Sequence, residues 1–262
     1  MQHFLFLLFA LPLVLVSCNP DEDDSELSGC MDPDAVNFSA NATVDDGSCV
    51  YGPLECGGAS TVTYDGYTYA LVAIGDQCWF AENLRSEHYA NGDPIPGELS
   101  DGDWSSTTSG AMTVYGEGTS IVYHGCDDEV SNLADYGRLY NWYAVDDARG
   151  LCPSGWHVPT DQEYTTLIDV LGGTSVAGGK MKSSPADLWS WNGTNTSGFS
   201  GLAGGYRDLS GDFDGGGYSG YFWSASASGA NAWNRRLNGG NTEVSRSNNN
   251  RRSGVSVRCV RD

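Results

Sequence analysis

The sequence predicts a loop-rich α+β domain of short antiparallel strands with one main helix, and three observations carry that prediction. Glycine is abundant, at 35 residues, and it punctuates segments rich in the 14 tyrosines and 8 tryptophans. Strands broken by frequent turns fit such a pattern better than helices do. Thr61 to Tyr64 alternates, Asp65-Gly66 supplies a tight turn, and Tyr67 to Ile74 returns as a second strand. Helix signals converge once. Thr160 can cap an N-terminus, and Glu163 stands three residues on, where each can satisfy a free backbone donor. Leu167, Ile168 and Leu171 follow at helical spacing, and Gly172-Gly173 supplies a left-handed stop, so a helix is predicted over 160–172.

Taken in order, the chain starts with an apolar run from Phe4 to Val16, too short for the roughly 20 residues that span a bilayer. Residues 1–17 read as a secretory leader. Leu15-Val16-Ser17-Cys18 has the form of a lipobox, so Cys18 is expected to carry lipid, with acyl burial worth about 0.8 kcal/mol per methylene. Residues 18–29, with Asp21, Glu22, Asp23, Asp24 and Glu26, are too acidic to bury themselves and form a solvated tether. The net charge of −21 argues against nucleic acid as a partner, because phosphates are repelled. Residues 201–262 differ: eight Arg against five acidic residues gives 8 − 5 = +3. Those Arg either pair with acidic loops elsewhere or form an anion- or glycan-facing patch.

Cys30 and Cys49 bracket a small module, 30–50, and are expected to pair. Asp32, Asp34, Asn37, Asp45 and Asp46 supply hard oxygen donors within it. Calcium takes six to eight such oxygens, and a disulfide plus a metal would compensate for a core too small to stand alone. The EF-hand spacing is absent, and a stalk held by the disulfide alone is the other reading. A linker, 51–58, follows. Cys56 and Cys78 bracket the first hairpin and are expected to form a second bridge. Gln77 to Phe80 is a third strand with Trp79 pointing inward. Glu82 and Asn83 could bind a sugar or metal, or fix a loop. His88 to Asp135 is long and polar and reads as extended surface loops, where specificity tends to sit.

Leu139 to Val145 is aromatic and strand-prone. Beyond the helix, Phe199–Arg207 and Tyr218–Ala225 read as strands around Asp208, Asp212 and Asp214, which could hold calcium or simply make a turn. Gly215-x-Gly217-x-x-Gly220 matches a dinucleotide fingerprint in letters only, since it opens no helix. Ala232–Leu237 and Gly254–Val260 complete the strands, the last with clean alternation. No HExxH, GxSxG, Walker loop or Cys-x-x-Cys occurs. His157, between Trp156 and Val158, reads as a core-edge residue. With Cys18 acylated, seven cysteines remain. After the two expected pairs Cys126, Cys152 and Cys259 remain, so at least one has no intramolecular partner, and a zinc site of Cys126 with His124 lacks further ligands.

Several separated motifs carry a family resemblance: Gly75 to Leu84, YGRLYNWYAV at 136–145, LCPSGWHVPT at 151–160, GGYRD at 204–208, FWSAS at 222–226 and SVRCVRD at 256–262. In this order they resemble the Fibrobacter succinogenes major paralogous domain, found mainly in surface and secreted proteins of Bacteroidetes-like bacteria. The resemblance covers 56–262 and implies a C-type lectin-like fold. It also implies a Cys152–Cys259 bridge, because such folds join a position before the loop region to the last strand, which leaves Cys126 free or paired between chains. The 30–50 module resembles an Asp-rich repeat akin to thrombospondin type 3 repeats. The acidic run after Cys18 resembles an export signal of Bacteroidetes surface lipoproteins. Together these imply an outer-membrane, lipid-anchored, surface-exposed protein, non-enzymatic, presenting a binding domain for a glycan or protein ligand. Trp189, Trp191, Tyr221 and Trp233 would suit stacking on sugars. Two alternatives stand beside this: a structural envelope component without a soluble ligand, and an oxidase. The oxidase reading arises because His157 to Tyr164 is similar to a segment of formylglycine-generating enzymes. Those enzymes use a copper-binding cysteine pair near the domain end, where this chain offers only Cys259.

Overall fold

The computed structural model describes residues 26–33, 35, 37–49, 56–118, 129–184 and 191–262. The leader, Cys18, most of the tether, Asp34, His124, Cys126 and Trp189 lie outside the described residues. The chain divides into two units, Met1–Gly52 and Pro53–Asp262.

In the first unit, β1 (Ser28–Gly29) and β2 (Val44–Asp45) pair in parallel, and a disulfide joins Cys30 to Cys49. Cys30 and Ala35 are its buried apolar side chains among the described residues. So small a core leaves the bridge as the main restraint.

The second unit opens with β3 (Thr61–Tyr64) and β4 (Tyr67–Ile74), an antiparallel hairpin. Asp65 and Gly66 both take positive φ, 46° and 77°, the geometry that matches the strands' right-handed twist in a two-residue turn. Then come β5 (Gln77–Phe80), α1 (Asp101–Ser106), β6 (Met112–Val114), α2 (Glu129–Tyr136), β7 (Arg138–Tyr140) and α3 (Trp142–Val145). They are followed by β8 (Trp156–His157), α4 (Asp161–Val170) and α5 (Thr174–Met181). The chain ends with β9 (Gly204–Arg207), β10 (Phe213–Gly216), β11 (Ser219–Ser228), β12 (Asn231–Asn238), β13 (Val244–Asn250), β14 (Val255–Ser256) and β15 (Val260–Arg261).

Among the described residues these strands form two sheets in this unit. One runs β3-β4-β5-β15-β8; the other runs β10-β9-β11-β14-β7-β6, with β12 and β13 continuing from β11. The architecture is α+β, mostly strands with few helices. The last strand lies between β5 and β8, so the two ends of the unit share a sheet. Disulfides join Cys56 to Cys78 and Cys152 to Cys259.

The helix predicted over 160–172 is α4, with Thr160 as N-cap, a complete capping box with Glu163, and Leu171 as C-cap. Its Tyr164, Leu167 and Ile168 are buried. Elsewhere the structure corrects the sequence reading. The strand expected over Leu139–Val145 ends at Tyr140. Asn141 then caps α3 by accepting from the Ala144 amide, and that turn lets the Trp142 indole donate to the Ser224 carbonyl from the core. The region read as surface loops, His88–Asp135, contains α1, β6 and α2. Ser100 caps α1 by accepting from the Asp103 amide, and Trp104 inside it is fully buried, donating to the Asp208 carbonyl.

A second helix, α5, follows α4 directly. Gly178 and Gly179 within it face residues 242–243, where a Cβ on Gly178 would stand 2.4 Å from the Glu243 carbonyl oxygen. The glycines permit that close approach. The alternation read over Gly254–Val260 is absent: every residue from Ser253 to Val260 is buried. Arg258 is among them, at 0% exposure.

Candidate recognition cleft

Most charged side chains in the second unit are committed to holding it together. Asp161 at the start of α4 accepts from buried Arg235 and from Arg246, at 2.6 and 2.8 Å. Burial works against the Asp161 carboxylate, yet the two guanidinium groups hold it below its usual value. Arg207 pairs with Asp101. Glu82 accepts from the Tyr67 hydroxyl and the Ala70 amide. Asn83 donates to the Tyr136 carbonyl and accepts from Arg258. The Glu82-Asn83 pair therefore fixes a loop.

His157 stands between two carboxylates: Nδ1 lies 2.6 Å from Asp262 and Nε2 lies 2.8 Å from Glu163. Burial pulls the imidazole down, but the two carboxylates outweigh it and its pKa is raised. Burial likewise opposes ionisation of Glu163, while the Thr160 amide and hydroxyl and His157 hold its carboxyl below the ordinary value. A raised folded-state pKa gives stability that is fully present below the unfolded value near 6.5 and is lost as pH rises through the folded one. Thermal melts of His157→Gln should therefore fall below those of the native protein at about pH 6, with the gap narrowing as pH rises. A gap that widens with pH would contradict the assignment.

The residues singled out for calcium are largely occupied by their own loops. Asp208 Oδ1 accepts from the Ser210, Gly211 and Asp212 amides, and Asp214 Oδ1 from the Gly215 amide. In the first unit, Asp45 accepts from the Gly47 amide and Asp46 from the Ser48 amide, and Asn37 donates to the Ser48 carbonyl. Asp32 supplies a carbonyl that accepts from the Ala35 amide. Among the described residues no group of three or more His, Cys, Asp or Glu side chains is placed to hold a metal ion.

The aromatics expected to stand exposed are another correction. Trp191 and Tyr221 are buried, at 3% and 8% exposure, within the two cores. Trp233 is half-buried, and the Arg246 guanidinium lies 3.4 Å from its ring centroid. That cation covers a ring face a sugar would need.

Four open clefts stand out among the described residues. Three hold at least as many carboxylates as arginines: Asp76 and Asp262 with Arg261; Asp65 and Glu87 with Arg85 and Arg138; Asp146 and Asp147 with Arg149. The fourth, of about 250 Å³, has Arg261 and no carboxylate in its lining. Val62 on β3, Leu71 on β4 and half-buried Trp156 on β8 line it, together with Thr61 and Ser154. The Trp156 ring is braced edge-on by fully buried Phe80, with centroids 4.9 Å apart. The Cys56–Cys78 bridge fixes the cleft's rim. Arg261 and Ser154 fall within the motifs SVRCVRD and LCPSGWHVPT, but nothing in those letters marks either as lining a cleft. Which arginines lack a carboxylate partner among the described residues is decided by folding.

The fold and these sites define a disulfide-stapled α+β domain of short strands. Residues 72–261 match the Fibrobacter succinogenes major domain, and the chain belongs to that family. No curated protein and no solved structure matches it.

Proposed function

We propose that the chain is a lipid-anchored surface protein, non-catalytic, presenting a lectin-like domain that recognises a glycan or protein ligand. The observation that carries this reading is the cleft between β3–β4 and β8. A braced, half-buried indole, aliphatic neighbours and a few polar residues are the makings of a binding site, and the strands around it are tied by two disulfides. The apolar leader, the lipobox ending in Cys18 and the acidic tether support display on the outer face of the outer membrane. The bridge at Cys259 speaks against the oxidase alternative, since that sulfur carries no free thiolate. A glycan array probed with the purified protein tests the reading. Saturable binding to a subset of glycans is expected. Silence there, with an envelope defect in a deletion strain, would favour the structural alternative.

A further inference from the structure

The fourth cleft has an electrostatic character its neighbours lack. In a chain of net charge −21, an anion is repelled from most of the surface. Here Arg261 is exposed, and its Nη1 donates to the Cys56 carbonyl at 2.9 Å. Among the described residues no carboxylate pairs with it. The nearest acidic chain neighbour, Asp262, is engaged by His157, and Asp76 lines the adjoining cleft. Among the described residues Arg261 thus has guanidinium donors left for a planar, bidentate acceptor. Trp156, Ser154 and Thr61 line the same cleft.

We infer that this cleft seats an acidic sugar, a carboxylate-bearing ring such as a uronate at a glycan end, with Arg261 taking its carboxylate and Trp156 lying against its C–H face. The inference rests on the recognition reading above and specifies the ligand class. An indole offers a flat apolar surface to a sugar ring. A charge-assisted pair in a partly desolvated cleft separates an acid from its neutral counterpart.

Isothermal titration of the full chain with a glucuronate-ended trisaccharide and its glucose-ended counterpart is the test. The acidic ligand should bind about 10-fold tighter, and added salt should weaken it selectively. Arg261→Gln should remove the preference, leaving both ligands at the weaker affinity. Arg261→Lys should restore part of it, keeping charge without the fork. Because Arg261 is exposed, the melting temperature of each variant checks that the fold is intact. Equal affinity for the two ligands, or an acid preference that survives Arg261→Gln, overturns the inference while leaving glycan recognition standing. No binding of either sugar overturns the inference, and a silent glycan array as well overturns glycan recognition, leaving the protein-ligand half of the reading above.

Discussion

Arg258→Met is expected to destabilise the protein by about 3–5 kcal/mol, a large share of the 5–15 kcal/mol typical of a folded domain. Arg258 has 0% exposure and faces oxygens rather than a carboxylate. Its Nε donates to Asn83 Oδ1 at 2.7 Å. Its Nη1 donates to the Phe80 and Phe199 carbonyls at 2.9 and 2.7 Å, and its Nη2 to the Ser200 carbonyl at 2.9 Å. The Phe199 ring lies 4.5 Å away. Burial pushes the guanidinium down to about 9, with Tyr164 and Glu82 opposing the shift. One side chain thus gathers the end of β5, the loop after it and the approach to β9. Methionine would fill much of the volume but leave these acceptors unpaired in the core, which is the costly half of losing a buried hydrogen bond. Denaturant midpoints with unchanged slopes would measure the loss. A variant within 1 kcal/mol of native stability, a margin set by the cost of one ordinary hydrogen bond, would show that the oxygens find other donors.

Removing the Cys152–Cys259 bridge as the double alanine variant is expected to cost about 4–5 kcal/mol, from the chain entropy of so long a loop. The two cysteines are separated by 107 positions, against 22 for Cys56–Cys78, whose removal should cost nearer 3 kcal/mol on the same argument. Both long-range sulfurs are buried, at 5% and 0% exposure, so lost packing adds to the entropic term. The bridge ties the segment entering β8 to the strand that pairs with it, the region that holds Trp156 and Arg261. Its loss should therefore weaken ligand binding at temperatures where the fold survives. Equal melting temperatures for the two double variants would contradict the ranking.

What the sequence disclosed was local. The Asp65-Gly66 turn, the Thr160–Glu163 box and the period of Leu167, Ile168 and Leu171 are interactions between near neighbours, and each is legible as a residue pattern. The capped α1 carries a similar signal in Ser100 and Asp103, but the polar residues around it masked a fully buried Trp104. The failures were tertiary. Trp191 and Tyr221 look like exposed platforms until distant strands cover them. Gly254–Val260 looks like a one-sided strand, because nothing in its letters says that Arg258 turns inward to carbonyls of residues 80, 199 and 200. Arg261 was missed for the converse reason. Asp161, Asp101 and Asp262 are drawn to other cations by the fold, and that Arg261 has no acid among the described residues is visible only once those pairs are made.

The most direct test of the account is an experimental structure of the protein with the glucuronate-ended trisaccharide bound. The account predicts a sugar ring against Trp156, with its carboxylate on Arg261 and the scaffold around Arg258 unmoved. A saccharide bound elsewhere with this cleft empty would contradict it.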